Sequence, residues 1–196
     1  MRARLGALNA VDISIDRSVG ALLADMEGVD RAHATCIKDE WLRVTSAVPV
    51  EQRRKAMRNL LVDARDTCTA ESIVRFVATI ARGQALTPAN TDLLLDTMTR
   101  CRTGKKRLKG LLPAGTRVAH KTGSLTSSLD VRDDRPFLTA DVGLVDLPDQ
   151  RAFVCAAFIA GSPHQSQIQD RIVARLALAT YDEFLAEPRQ DHSDRG

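Results

Sequence analysis

"RVAHKTGSL", Arg117 to Leu125, is the stretch on which the reading of this chain turns. A short β-like run, Arg-Val-Ala-His, ends by presenting an ammonium, a hydroxyl, a glycine and a second hydroxyl in succession. Alternation along a strand places Lys121 and Gly123 on one face and Thr122 on the other. Such a terminus is either a solvated strand end or one wall of a site for acyl transfer.

The surroundings define a fold class. After Arg117 come two apolar runs, "FLTADVGLVDL" and "RAFVCAAFIAG", joined by "PDQ". A turn signal between two apolar runs predicts an antiparallel hairpin. "SQIQDRIVARLALATYDEFL" then predicts a long amphipathic helix, and "AEPRQDHSDRG" is polar enough to predict a disordered tail over 188–196. Upstream, helical spacing dominates. "VPVEQRRKAMRNLLVDARD" predicts one helix, with Met57, Leu60 and Leu61 on its apolar side. "TAESIVRFVATIARGQ" predicts another, capped by Thr69 with Ser72, buried along Ile73, Phe76, Val77 and Ile80, and ended by Gly83. "LTPANTDLLLDTMTRCRTG" predicts a third, with Thr87 as N-cap, Pro88 in its first turn and Gly104 as its stop. Helices first, then three strands, then a helix, describe an α+β protein: an antiparallel sheet with helices packed on it. One domain over residues 1–187 accommodates all of these elements.

Composition excludes several functions. The chain has 196 residues, 44% of them hydrophobic, enough for a substantial core. The net charge of +3 and an aromatic content of 4% do not suit a nucleic-acid binder, which clusters cations with stacking aromatics. The densest basic run, "RTGKKRLKG" (Arg102 to Gly110), contains no aromatic and reads as a solvated helix end or turn. Cys36, Cys68, Cys101 and Cys155 lie far apart without zinc spacing, and Cys155 reads as a small core residue. No metal or other cofactor is expected. No Gly-x4-Gly-Lys-Ser/Thr phosphate loop occurs, and no apolar run is long enough to span a bilayer. The stretch "MRARLGALNAVD" is too short in its apolar part for a signal peptide.

"LLPAGTRVAHKTGSL", the hairpin and the terminal helix, in that order, resemble the C-terminal part of class A β-lactamases and related penicillin-recognising serine hydrolases. "IDRS" (Ile15 to Ser18) resembles the start of that family's Ω-loop, and "DARDTCTAES" (Asp63 to Ser72) its close. The match runs from Asp12 to about Phe184. The resemblance implies a β-lactamase/transpeptidase-like fold, hydrolysis of β-lactam amides through an acyl-enzyme, and the periplasm as the compartment of an intact parent. It implies that Lys121 supplies positive charge, that Thr122 and Ser124 bind the β-lactam carboxylate, and that the Ser124 N–H forms half of an oxyanion hole. Gly123 allows the acyl group close approach. His120 is expected to point away from the site. Arg17 and Asp66 are expected to pair and close the loop.

Three departures accompany the resemblance. The family's Ser-x-x-Lys nucleophile motif and its Ser-Asp-Asn loop are both absent; "TCIK" (Thr35 to Lys38) has the first spacing but lies within the loop. In a family member both motifs would precede Met1, so the chain is expected to match a C-terminal portion and to be inactive alone. Val19 stands where the family carries the glutamate that activates the deacylating water, and valine cannot accept a proton. Asp25 and Glu27 are expected to be ordinary surface carboxylates. The segment of about 17–66 is longer than the family's loop and holds its own helix with Trp41. Without two further strands, the apolar run Ala152 to Ala160 would be an open sheet edge, a site for self-association. Two other readings stay open: a non-catalytic module that holds a penicillin or peptide, and an α+β interaction protein with an accidental Lys-Thr-Gly.

Overall fold

The computed structural model describes residues 2–8, 10–35, 37–126 and 138–187. The tail expected to be disordered lies outside the described residues. Seven α-helices and three strands are present among them: α1 (Arg2–Ala7), α2 (Val19–Glu27), α3 (Lys38–Ser46), α4 (Val50–Leu61), α5 (Ala70–Ala81), α6 (Pro88–Thr99), β1 (Val118–Leu125), β2 (Leu138–Asp146), β3 (Ala152–Ala160) and α7 (Ser166–Ala186). Helix α2 covers the helical pattern of Leu22, Leu23 and Met26 that follows the Ile13 and Ile15 alternation in the sequence, whereas α1 was not foreseen: at six residues it is too short for a period to show.

The sheet is antiparallel, in the order β1-β2-β3. Its register places Lys121 opposite Val142, Thr122 opposite Asp141, Gly123 opposite Ala140 and Ser124 opposite Thr139. Period-2 alternation sorts the side chains into two faces. Val118, His120, Thr122 and Ser124 share one face with Thr139, Asp141, Gly143 and Val145, and with Phe153, Cys155 and Ala157. That face forms the core: Val118, Val145, Phe153, Cys155 and Ala157 pack with Val173, Ala177 and Tyr181 of α7 and with Leu108. Phe153 stacks on Phe184 at a centroid distance of 5.0 Å. Burying each of the valine, leucine and phenylalanine side chains among them contributes roughly 1.5–3 kcal/mol. Helices α5 and α6 pack on β3 and β1 respectively.

Capping chemistry explains the helix starts. The Thr69 hydroxyl accepts from the Ser72 N–H, and the Ser72 hydroxyl accepts in return from the Thr69 N–H, a reciprocal capping box. Thr87 occupies the N-cap of α6 with Pro88 next, but its side chain makes no capping bond. Gly104 does not stop α6, which already ends at Thr99. Its role is contact instead. With φ +62 it lies against β1, and a Cβ there would meet Thr122 Cγ2 at 2.3 Å. The outer edge of β3 has no strand partner among the described residues, and Phe158 on it is 41% exposed.

Candidate active site

Strand β1 carries the candidate wall, Lys121 to Ser124, near its end. Lys121 and Ser124 are exposed, and Thr122 and Gly123 are half-buried. The Lys121 ammonium donates to the Thr122 carbonyl, so at rest it lies along its own strand. Thr122 Oγ1 shares a 2.6 Å hydrogen bond with Thr103 Oγ1.

Behind the wall stands Arg107, which is 7% exposed. Its Nη2 donates to Ser124 Oγ at 2.7 Å, and its Nη1 donates to the Gly123 carbonyl at 2.9 Å and the Ala140 carbonyl at 3.0 Å. Its Nε donates to Asp170 of α7 at 2.7 Å. One guanidinium thus ties the last residues of β1 to β2 and to the terminal helix. A planar fork with five donors suits this task as an ammonium could not. The basic run 102–110 is therefore a turn, as read, but not a fully solvated one: Arg107 and Leu108 are buried. A cation among cations gives no sequence signal of which one turns inward.

His120 also departs from expectation. Expected to point away from the site, it instead shares the face of Thr122 and Ser124, where it is fully buried. Its Nδ1 lies 2.9 and 3.0 Å from the two oxygens of the equally buried Asp141. His120 pairs across the strands with Gly143, and Asp141 is the diagonal neighbour. Gly143 makes room, since a Cβ there would sit 2.7 Å from His120 Cβ. Asp141 Oδ2 also accepts the Leu108 N–H at 3.3 Å, fastening the 104–108 turn to the sheet beneath the wall. A signal existed: aspartate in the middle of an apolar strand must find a partner.

The loop neck is a second cluster. Arg17, with a side chain 4% exposed, contacts Asp66 at 2.5 Å, Asp25 at 2.6 Å and Asp63 at 3.0 Å. Arg31 and Arg65 join the same carboxylates. Burial by itself would depress the Arg17 pKa, but hydrogen bonds to Asp66 and Asp25 hold it above its ordinary value. Burial likewise works against charge on Asp66, yet Arg17 and two backbone N–H groups keep its carboxyl below the usual range. Asp25 is held low chiefly by Arg31. Asp25 and Glu27 are not the surface carboxylates expected: Asp25 belongs to this hub, and Glu27 is 5% exposed with Arg53 3.9 Å away. An antiparallel bridge between Ile13 and Cys68 completes the neck. Val19 opens α2 and is 73% exposed.

The cysteines differ in character. Burial pushes the Cys155 thiol up to about 11, so it is an inert core group. Burial also raises Cys68. Cys101 is held low, first by its bond with Thr103, and feels the Lys121 charge.

An α+β core with an antiparallel three-stranded sheet and helices packed on it is the fold of class A β-lactamases, of which this chain covers a part. The family model of the β-lactamase enzyme family matches residues 21–184, and the chain belongs to that family. It is 41% identical over 96 residues to extended-spectrum β-lactamase PER-1 of Pseudomonas aeruginosa, covering 49% of this chain and 30% of that protein. It is 35% identical over 119 residues to a β-lactamase of Bacteroides uniformis, covering 60% of this chain and 39% of that one. Among solved structures, TLA-3 extended-spectrum β-lactamase superposes with a TM-score of 0.66 at 26% identity, over 93% of this chain and 53% of that chain. The chain thus spans about half the length of this structural neighbour and less of the curated relatives.

Proposed function

We propose that this chain supplies the substrate-anion wall of a β-lactamase-type serine hydrolase. Lys121 gives positive charge, and the Thr122 and Ser124 hydroxyls receive the carboxylate of a β-lactam. The Ser124 N–H acts as one oxyanion-hole donor, aimed where negative charge develops on the carbonyl oxygen. Gly123 leaves the strand bare for the acyl group: a Cβ there would only brush Ala140, at 3.5 Å, so the requirement for glycine comes from the substrate side. The observation that carries this reading is the grip of Arg107 on Ser124 Oγ and the Gly123 carbonyl. It fixes a hydroxyl of the wall and adds a buried cation behind it, which a solvated strand end does not need.

The chain contains no Ser-x-x-Lys, so the wall lacks a nucleophile with its own lysine. Arg17 and Asp66 close the loop at its neck, and Val19 provides no base for deacylation. An intact enzyme built on this chain would act in the periplasm on a β-lactam or a related peptide. The open edge of β3 at 152–160 is a route to self-association, which size-exclusion chromatography at micromolar concentration would read as species larger than a monomer.

The test is chemical. Incubated with a chromogenic cephalosporin and a labelled penicillin, the chain alone is expected to give no hydrolysis and no covalent adduct in its mass spectrum. An acylated serine would overturn the assignment of this chain as a wall without its nucleophile.

A further inference from the structure

A cavity of about 550 Å³ opens on the far side of the Arg107–Asp170 pair, between the 106–111 turn and α7. Three cations line it: Lys106 from the turn, and Arg171 and Arg175 from α7. Among the described residues, no carboxylate lines it. The acidic residue adjacent in sequence, Asp170, is occupied by Arg107 at 2.7 Å, and none of the three cations takes part in an ion pair among the described residues. Arg171 and Arg175 stand four apart on one helix face, where like charges destabilise the helix rather than support it. The rest of the lining is Gly110, Gln167 and three apolar residues, of which Leu111 and Ile168 are left 45% and 46% exposed and Ala174 is buried.

An uncompensated trio of cations over an apolar floor suits one class of occupant. We propose that this cavity binds a phosphate monoester: its oxyanion would bridge the two guanidiniums and the ammonium, and its organic group would cover Leu111 and Ile168. Guanidinium groups favour phosphate because the fork of N–H donors matches two of its oxygens, while Lys106 adds a point charge. The proposal is independent of what the wall of β1 binds. Free phosphate and an alkyl phosphate share the recognised chemistry, and the apolar floor separates them.

The experiment is isothermal titration of the chain with octyl phosphate below its micellar concentration, with inorganic phosphate and with octyltrimethylammonium. The wild type is expected to bind octyl phosphate saturably, inorganic phosphate at least tenfold more weakly, and the cationic amphiphile not at all. The triple variant Lys106→Gln, Arg171→Gln, Arg175→Gln is expected to lose at least tenfold in octyl phosphate affinity. All three side chains are exposed, so the variant should keep the wild-type far-UV circular dichroism, and Lys55→Gln on α4 is the control for loss of one exposed positive charge. Equal octyl phosphate affinity in wild type and triple variant, or equal binding of the anionic and cationic amphiphiles, overturns the proposal. Equal affinity for octyl phosphate and inorganic phosphate overturns the role of the apolar floor.

Discussion

Arg17 Nε donates to Asp66 Oδ2 at 2.5 Å although 49 positions separate the two residues, and Asp66 Oδ1 accepts the N–H groups of Asp16 and Arg17. Both carboxylate oxygens are thereby committed to one side of the neck. Asp66 takes a left-handed backbone, φ +53, to present them, a conformation that aspartate tolerates better than most residues. Everything between them, including α3 and α4, hangs from this closure.

Arg17→Ala leaves three carboxylates facing one another with only the exposed Arg31 and Arg65 nearby. Removing one partner of a buried pair costs about 3–5 kcal/mol, and the partial exposure of the three carboxylates, 16–21%, brings the expected loss to about 2–3 kcal/mol. Urea denaturation followed by circular dichroism measures it. Arg17→Lys should recover less than half, because an ammonium cannot reach three carboxylates as a fork does.

The same hub makes stability fall in acid. Asp66 and Asp25 have folded-state pKa values below 3.8, the value they regain on unfolding. The unfolded chain therefore binds more protons at low pH. Their contribution is complete above about pH 5 and is lost progressively as pH falls through 3.8 and below. Thermal midpoints measured from pH 7 to pH 3 should be level near neutrality and then drop, and Asp66→Asn should flatten the drop.

Asp141→Ala strands the Leu108 N–H and the His120 ring in the core. The expected cost is about 3 kcal/mol. Asp141→Asn should cost less, since its amide oxygen still accepts one of the two bonds. Equal losses for the two variants would show that packing, not hydrogen bonding, governs this position.

Arg107→Ala removes four donor contacts from the end of β1, its neighbour β2 and α7. Hydrogen bonds from a charged donor are each worth about 1.5–3 kcal/mol, so local opening should follow. Amide hydrogen exchange at Gly123, Ser124 and Leu125 should accelerate at least as much as in the β2–β3 ladder.

Among Cys68, Cys101 and Cys155, Cys101 should be alkylated first by iodoacetamide at pH 8. Its thiol is held low by Thr103, whereas burial raises the other two. Peptide mapping reads the order, and faster modification of Cys155 would contradict the burial seen here.

The fold was legible where period and punctuation agree. Alternation and "PDQ" delimit β2 and β3, and the Thr69–Ser72 box marks α5 to the residue. The Lys-Thr-Gly-Ser strand end and the partners Arg17 and Asp66 were legible through family resemblance. What escaped depends on contacts that local sequence does not encode. Arg107 is one cation in a run of five, and only the turn at Gly104 directs it inward. The His120–Asp141 pair spans 21 positions and follows from strand register, which a one-residue slip would abolish. Asp25 and Glu27 looked like surface charges because their partners come from other segments of the loop.

The account rests most directly on whether the end of β1 receives a carboxylate. Titrating the isotope-labelled chain with benzylpenicillin, while following backbone amide shifts by NMR, tests this. Saturable shifts centred on Lys121, Gly123 and Ser124, with Arg107 responding behind them and the effect lost in Lys121→Ala, are the predicted result. Absence of those shifts at millimolar ligand, or their persistence unchanged in Lys121→Ala, would contradict it.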